Sequence, residues 1–263
     1  MVRQLSAKEL YGGSIPPAAS KHMKGIILAG GKGTRLHPLT KVTSKQLLLV
    51  YDRPMIFYPL QTLLDAGIKD ILIIVAPEYL NSFKDLVGSG DEFGAKFTYK
   101  IEDKPEGLAK AFAIGEEFIG QDNVAMILGD NIFEGNFSDA VKNFKGGGQI
   151  FAKKVSDPER FGVVKFDDSG KAIQIVEKPK EFLSDYAITG LYIFDNRVAS
   201  IVKELKLSSR GEYEITDIQN WYLKQGELRV DIVDGEWIDA GTFDSLLKAS
   251  NWAFQKSKNT KIF

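Results

Sequence analysis

The chain has 263 residues, 44% hydrophobic and 26% charged, with a formal net charge of -1, which suits one large globular domain and gives no global attraction to nucleic acid or to an anionic membrane. Cysteine is absent and histidine is limited to His22 and His37, which excludes disulfides, thiolate metal sites and the usual histidine zinc centre. A metal here must be held by carboxylates, as magnesium is, and a binder of phosphates needs a local cluster of cations.

Residues 1–22 have no apolar core long enough for a signal peptide, no sustained periodicity, and a Gly/Ser/Pro/Ala-rich end. They read as an added or disordered leader, with a single domain over residues 23–263. No apolar run is long enough to span a membrane. Gly25–Ala29, Ile71–Val75 and Val124–Leu128 are short apolar runs that predict buried strands. Met55–Ala66, Leu80–Leu86 and Leu108–Phe118 predict the helices between them. Strand and helix in alternation imply right-handed crossovers and an α/β, doubly wound, mostly parallel sheet of Rossmann-like form.

After about Gly146 the texture changes. Gln149–Val155, Gly162–Phe166, Ala172–Val176 and Gly190–Phe194 are strand-like, and the turn Asp167-Asp168-Ser169-Gly170 predicts a hairpin. Helices follow near Val198–Leu205 and Glu214–Gln225, then a strand at Arg229–Val233 and a last helix over Phe243–Lys256. The second half is thus a β-rich elaboration of the first. Ligands of open parallel sheets lie beyond the carboxyl ends of the strands, which directs attention to the loops after Ala29 and Leu128 and to the stretch near Trp237.

Leu28-Ala29-Gly30-Gly31-Lys32-Gly33-Thr34-Arg35-Leu36 follows the first strand directly. Its glycines leave backbone N–H groups uncovered, and Lys32 and Arg35 add positive charge, so the loop is suited to wrapping phosphates; the competing reading is a simple tight turn. A dinucleotide fingerprint requires glycine where Leu36 stands, and a Walker-type loop requires a Gly-Lys-Ser/Thr that is absent here.

GGKGTRLHPLT and SKQLLLVYDRPMIFYPLQTLLDAGI, followed in order by PEGLAKAF, ILGDNIF, RFGVVKFD, EKP, YAITGLYIFD, SRGEYEITD and WIDAGT, closely resemble the glucose-1-phosphate thymidylyltransferases of the sugar nucleotidyltransferase family, in a short form. The resemblance implies a magnesium-dependent transfer of a nucleotidyl group from dTTP to glucose 1-phosphate. The attack is in line on the α-phosphorus and needs positioning and charge stabilisation rather than a general base. It implies Arg35, Lys45 and Lys178 as catalytic cations. Leu28, Gly30, Gly31, Gly33, Thr34, Arg35, Glu102 and Gly107 are implied for the nucleotide, and Leu108, Gly162, Glu177, Thr189 and Tyr192 for the sugar. Asp130 and Asp239 are the implied magnesium ligands, which Asp130's position after a central strand also suits. Arg210 and Trp237 are weaker candidates. On the residues alone, Glu177 and Lys178 could equally be an exposed pair at a strand end, and Asp130 could cap a helix.

One departure bears on specificity. Glu102 stands where the family usually has a glutamine that reads the pyrimidine, and an ionised carboxylate accepts hydrogen bonds without donating. UTP in place of dTTP, another sugar 1-phosphate, and a catalytically silent nucleotide-sugar-binding subunit therefore remain as alternatives. The expected partners are small molecules, with neither nucleic acid nor membrane, in a cytoplasmic setting; a homo-oligomer is left open.

Overall fold

The computed structural model describes residues 22–259. The expected leader therefore lies outside the described residues except for His22. Its backbone amide donates to Asp122 Oδ1 at 3.1 Å, and its carbonyl accepts from the Asn123 amide.

The first strand, β1 (Met23–Ala29), sends Ile26 and Leu28 into one apolar core and Ile27 and Ala29 into another. This is the alternation of a strand buried on both faces. After the glycine-rich loop come the two-residue strands β2 (Leu49–Val50) and β3 (Arg53–Pro54). They are followed by α1 (Phe57–Asp65), β4 (Asp70–Val75), α2 (Leu80–Val87) and β5 (Lys96–Ile101). Then come α3 (Lys110–Ile114), α4 (Glu116–Ile119), β6 (Asn123–Leu128), β7 (Asn131–Phe133) and α5 (Ser138–Asn143). β1 pairs in parallel with both β4 and β6, and β4 with β5.

The second half adds β8 (Gly148–Lys154), β9 (Gly162–Phe166), β10 (Ala172–Glu177), β11 (Tyr186–Phe194), α6 (Val198–Glu204) and α7 (Ile215–Gln225). It ends with β12 (Leu228–Ile232), β13 (Trp237–Asp239) and α8 (Phe243–Asn259). β11 joins it to the first half by lying antiparallel to β6, with β8 and β9 antiparallel to β11. The order β10-β9-β11-β6-β1-β4-β5, with β8 attached to β11 and β12 to β8, makes a single nine-stranded sheet. The half formed by β1, β4, β5 and β6 is parallel, and the β-rich elaboration is largely antiparallel.

Three local findings differ from the sequence reading. The helix expected over Leu108–Phe118 is two short helices meeting at Gly115, where a Cβ would stand 2.9 Å from Ile26 Cδ1; the chain here crosses close over β1. β5 was not anticipated. It is an edge strand whose Phe97, Tyr99 and Ile101 alternate with Lys96, Thr98 and Lys100, so it contains no apolar run, and charged residues suit an edge. β7 and β13, three residues each, pair antiparallel with Asp239 opposite Asn131. That small ribbon brings the WID segment to the end of β6.

Candidate active site

A cleft of about 470 Å³ opens beyond the carboxyl ends of β1 and β6. Of the residues the sequence points to, Leu28, Gly31, Arg35, Lys45, Glu102, Gly107, Leu108, Asp130, Gly162, Glu177, Lys178, Tyr192 and Asp239 line it. The weaker candidates Arg210 and Trp237 line it as well. Gly30, Gly33, Thr34 and Thr189 do not.

The glycine-rich loop gives each glycine a different task. Gly33 takes a left-handed φ of 61° and leads into the short turn Thr34–Leu36. Its carbonyl accepts from the Thr40 hydroxyl at 2.7 Å. Gly30 keeps an ordinary φ but admits no side chain, since a Cβ would overlap the Glu102 carboxylate. Glu102 is only 4% exposed. Burial, and then the charge of Glu106, push its carboxyl up to about 7. Near neutrality it is therefore substantially protonated, and a neutral carboxyl can donate as well as accept. The departure from glutamine is chemically smaller than the sequence suggests.

Lys45 lies beneath this loop and forms a short ion pair with Asp130, both largely buried. Burial alone would raise the Asp130 carboxyl. The Lys45 ammonium outweighs it by charge and hydrogen bond and holds the carboxyl below the usual range. Asp130 also accepts from Asn131 Nδ2 at 3.1 Å. The Ala240 amide donates to the Asp130 carbonyl at 2.9 Å, which fixes Asp239 beside it. Burial first, and then the Asp130 charge, raise Asp239 to about 6. Arg35 leans over the same spot: a Cβ on Gly241 would stand 2.6 Å from Arg35 Nη2 and 3.0 Å from Asp239 Oδ1.

Two hard-oxygen carboxylates that repel each other in this cleft fit a divalent cation whose other ligands are phosphate oxygens and water. Among the described residues there is no cluster of three or more metal-ligating side chains, so a closed all-protein cage is not offered.

The opposite wall is built differently. Glu177 ends β10, and Arg210 bridges it at 3.4 Å to Glu214 at 2.7 Å. Burial, then the Glu214 charge, raise the Glu177 carboxyl above its usual range, with Arg210 opposing them. Lys178 adopts φ 42°, a left-handed conformation that costs a non-glycine residue about 1–3 kcal/mol. Its amide donates to the Phe161 carbonyl at 2.9 Å.

Tyr192 is 3% exposed, and burial followed by the charges of Glu177, Asp130 and Asp239 pushes its phenol well up. Thr189 is fully buried, with its hydroxyl donating to the Phe151 carbonyl at 2.9 Å. The register between β11 and β8 slips between Ile188 and Tyr192, and Thr189 turns to the far side of the sheet while Ile188 and Gly190 face the cleft. Gly107, at φ 107°, admits no Cβ because the Tyr213 backbone lies against it. The Tyr213 amide donates to the Glu106 carbonyl at 2.7 Å and so joins the two walls.

Several lining residues escaped the sequence reading. Asn131 accepts from the Gly190 amide at 3.0 Å and from Trp237 Nε1 at 2.6 Å, which makes it the joint between β7, β11 and β13. Its position next to Asp130 was the available signal. Gln46, Arg160, Thr216 and Gln219 also line the cleft. Arg160 is among the cations that act on Asp239. Thr216 and Gln219 lie on a helix face that reads as core.

Residues 24–256 match the nucleotidyl transferase family. The chain belongs to that family. It is 52% identical over 236 residues to the glucose-1-phosphate thymidylyltransferase of Neisseria meningitidis, covering 88% of this chain and 82% of the relative. It is also 52% identical to that of Mycolicibacterium smegmatis, at the same coverage. A crystal structure from Bacillus anthracis, described as a glucose-1-phosphate thymidylyltransferase in complex with a sucrose, superimposes with a TM-score of 0.84. It is 49% identical and covers 88% of this chain and 95% of its own. A UDP-glucose pyrophosphorylase complexed with UDP-glucose, 24% identical with a TM-score of 0.78, shares the fold.

Proposed function

We propose that this chain transfers the thymidylyl group of dTTP to glucose 1-phosphate, giving dTDP-glucose and pyrophosphate. The carrying observation is the convergence of Arg35, Lys45 and Lys178 with the Asp130–Asp239 pair on one cleft, in a chain about half identical to thymidylyltransferases. A phosphate oxygen of glucose 1-phosphate forms a bond to the α-phosphorus as the bond from that phosphorus to the bridging oxygen breaks. Pyrophosphate leaves with the electron pair, and no proton transfer is required.

In this reading Lys178 holds the sugar phosphate at the sugar-side wall, and Arg35 holds the β- and γ-phosphates. Lys45, already drawn to the reacting end by Asp130, neutralises charge that develops on the α-phosphoryl group. Of the glycine-rich loop, Gly31 offers its backbone to the triphosphate at the cleft, with Leu28 bordering it, while Gly30, Gly33 and Thr34 shape the loop behind them. Glu102 and Gly107 meet the base. Leu108, Gly162, Glu177 and Tyr192 enclose the sugar, with the Glu177 carboxyl accepting from its hydroxyls. Asp130 and Asp239 would hold Mg2+, which supplies charge neutralisation at the phosphates. Among the described residues no helix is long and apolar enough to cross a membrane, and the reaction belongs in the cytoplasm, where its nucleotide is available.

Pyrophosphate release from glucose 1-phosphate with dTTP, UTP or CTP in turn, in the presence of magnesium, tests the reading. Release is expected to be fastest with dTTP and lost in Asp130→Asn. A preference for UTP would move the substrate while keeping the chemistry. Silence with every nucleotide, from folded protein, would overturn it.

A further inference from the structure

Three glutamines are buried among the described residues: Gln46, Gln149 and Gln219, at 1%, 4% and 0% exposure. Gln46 accepts from the Ser44 hydroxyl at 2.6 Å, and Gln149 donates to Asp231 Oδ2 at 2.5 Å. Among the described residues Gln219 has no hydrogen-bond partner on either side-chain atom. A carboxamide offers two donors and an acceptor with two lone pairs, and interiors rarely leave such a group unmatched. The adjacent Asn220 on the same helix does have a partner, donating to the Ile175 carbonyl at 3.2 Å.

The placement of Gln219 accounts for the exception. It lies on α7 one turn beyond Ile215 and Thr216, and all three line the cleft. Thr216 packs against Gly162, where a Cβ would stand 2.9 Å from Thr216 Cγ2 and 3.3 Å from Glu177 Oε2. The unmatched carboxamide therefore belongs to the wall formed by Gly162, Glu177 and Tyr192, away from the glycine-rich loop.

We propose that Gln219 is a specificity-determining residue that reads a hydroxyl of the hexose, directly or through one bound water. The inference rests on the reading of this cleft as a site for a sugar 1-phosphate. An interior amide left open in the free protein gains its partners when a polyol fills the wall. A sugar lacking the matching hydroxyl leaves it open and is rejected. The arrangement lowers the stability of the free protein in exchange for discrimination, a trade common at functional sites.

The test compares wild type with Gln219→Met, which keeps length and removes hydrogen bonding, using dTTP with glucose 1-phosphate and with its 2-, 3-, 4- and 6-deoxy analogues. The variant is expected to raise the KM for glucose 1-phosphate about tenfold and to leave the KM for dTTP within about twofold. Against one deoxy analogue the difference between variant and wild type should vanish, which identifies the hydroxyl. The melting temperature should hold or rise, because an unmatched polar group has been removed.

An equal penalty on glucose 1-phosphate and every analogue would overturn the proposal, as would a fall in melting temperature with unchanged KM. Calorimetric titration of glucose 1-phosphate alone separates this inference from the one it rests on. Wild-type protein that binds the sugar phosphate without turnover, with tighter binding than Gln219→Met, would retain the role of Gln219 and remove the thymidylyl transfer. Equal affinities would remove the role of Gln219 whatever the turnover.

Discussion

The two walls of the cleft, assigned in the proposed reading to the nucleotide and to the sugar, are made by different architecture. The nucleotide wall consists of loops at the carboxyl ends of parallel strands: the glycine-rich loop after β1, and Asp130 after β6. Its working groups are cations, carboxylates and uncovered backbone, several of them exposed. The sugar wall is built from within elements: Ile188, Gly190 and Tyr192 along β11, Glu177 at the end of β10, and Thr216 and Gln219 on α7. Its polar groups are mostly buried. Loops with free charge suit the electrostatic work of phosphoryl transfer, and rigid elements with buried polar groups suit discrimination among hydroxyls. Substitutions in the first wall should therefore affect turnover, and those in the second should affect the choice of sugar.

The largest expected effect is at Asp130. Asp130→Asn keeps volume but leaves Lys45 without its ion-pair partner and removes half of the carboxylate pair. The expected loss in kcat/KM is at least about a thousandfold, with both substrates still bound. Steady-state kinetics beside a circular dichroism spectrum would check it. A variant that retains turnover would break the assignment of the chemistry to the nucleotide wall.

Arg35→Ala and Lys178→Ala sharpen the contrast at about a hundredfold each. The first should raise the KM for dTTP and the second the KM for glucose 1-phosphate. Equal effects of both variants on both substrates would mean that the two walls do not divide the substrates between them. Gly107→Ala probes the place where the walls touch. Its φ of 107° and the Tyr213 backbone beside it leave no room for a methyl group. The substitution should cost about 2 kcal/mol or more of stability and weaken both substrates together. Chemical denaturation measures the first effect and initial rates the second.

The same contrast decides what could be read before the structure. Asp130 and the glycine-rich loop were legible because strand-end loops are where ligands of parallel sheets bind, and because glycine and charge there have few competing uses, whereas Lys45 came from the family resemblance alone. The strand and helix alternation carried the parallel half for a similar reason, since its period is strong. Gln219 and Thr216 were invisible because Ile215, Thr216, Ile218, Gln219 and Tyr222 form one buried helix face, which any amphipathic helix must have. Thr189 was implied for the sugar only by the family resemblance; strand alternation by itself puts it on the face opposite Ile188, Gly190 and Tyr192, where the structure has it. The approach of Asp239 to Asp130 depends on the β7–β13 ribbon, a pairing between segments 106 residues apart at Trp237 and Asn131. Only the family resemblance implied it.

The smallest expected effect concerns Glu102, a second buried carboxyl on the same wall as Asp130. Its folded-state value of about 7 lies above the ordinary 4.5, so the folded protein holds this proton more tightly than the unfolded chain does. Below about pH 4.5 the group is protonated in both states and costs nothing. As the pH rises toward 7 the unfolded chain releases the proton first and stability falls, levelling off once the folded state is also ionised. Glu102→Gln removes the dependence. The stability of the variant relative to wild type should therefore grow by about 2 kcal/mol between pH 4.5 and pH 8, less than the full shift implies because the carboxyl faces a wet cleft. Over the same range the wild-type KM for dTTP should change with an inflection near pH 7, and that of the variant should stay flat. Urea denaturation at four or five pH values reads the first quantity. If the wild-type and Gln profiles run parallel, the carboxyl is ionised throughout, and the base is met by an acceptor alone.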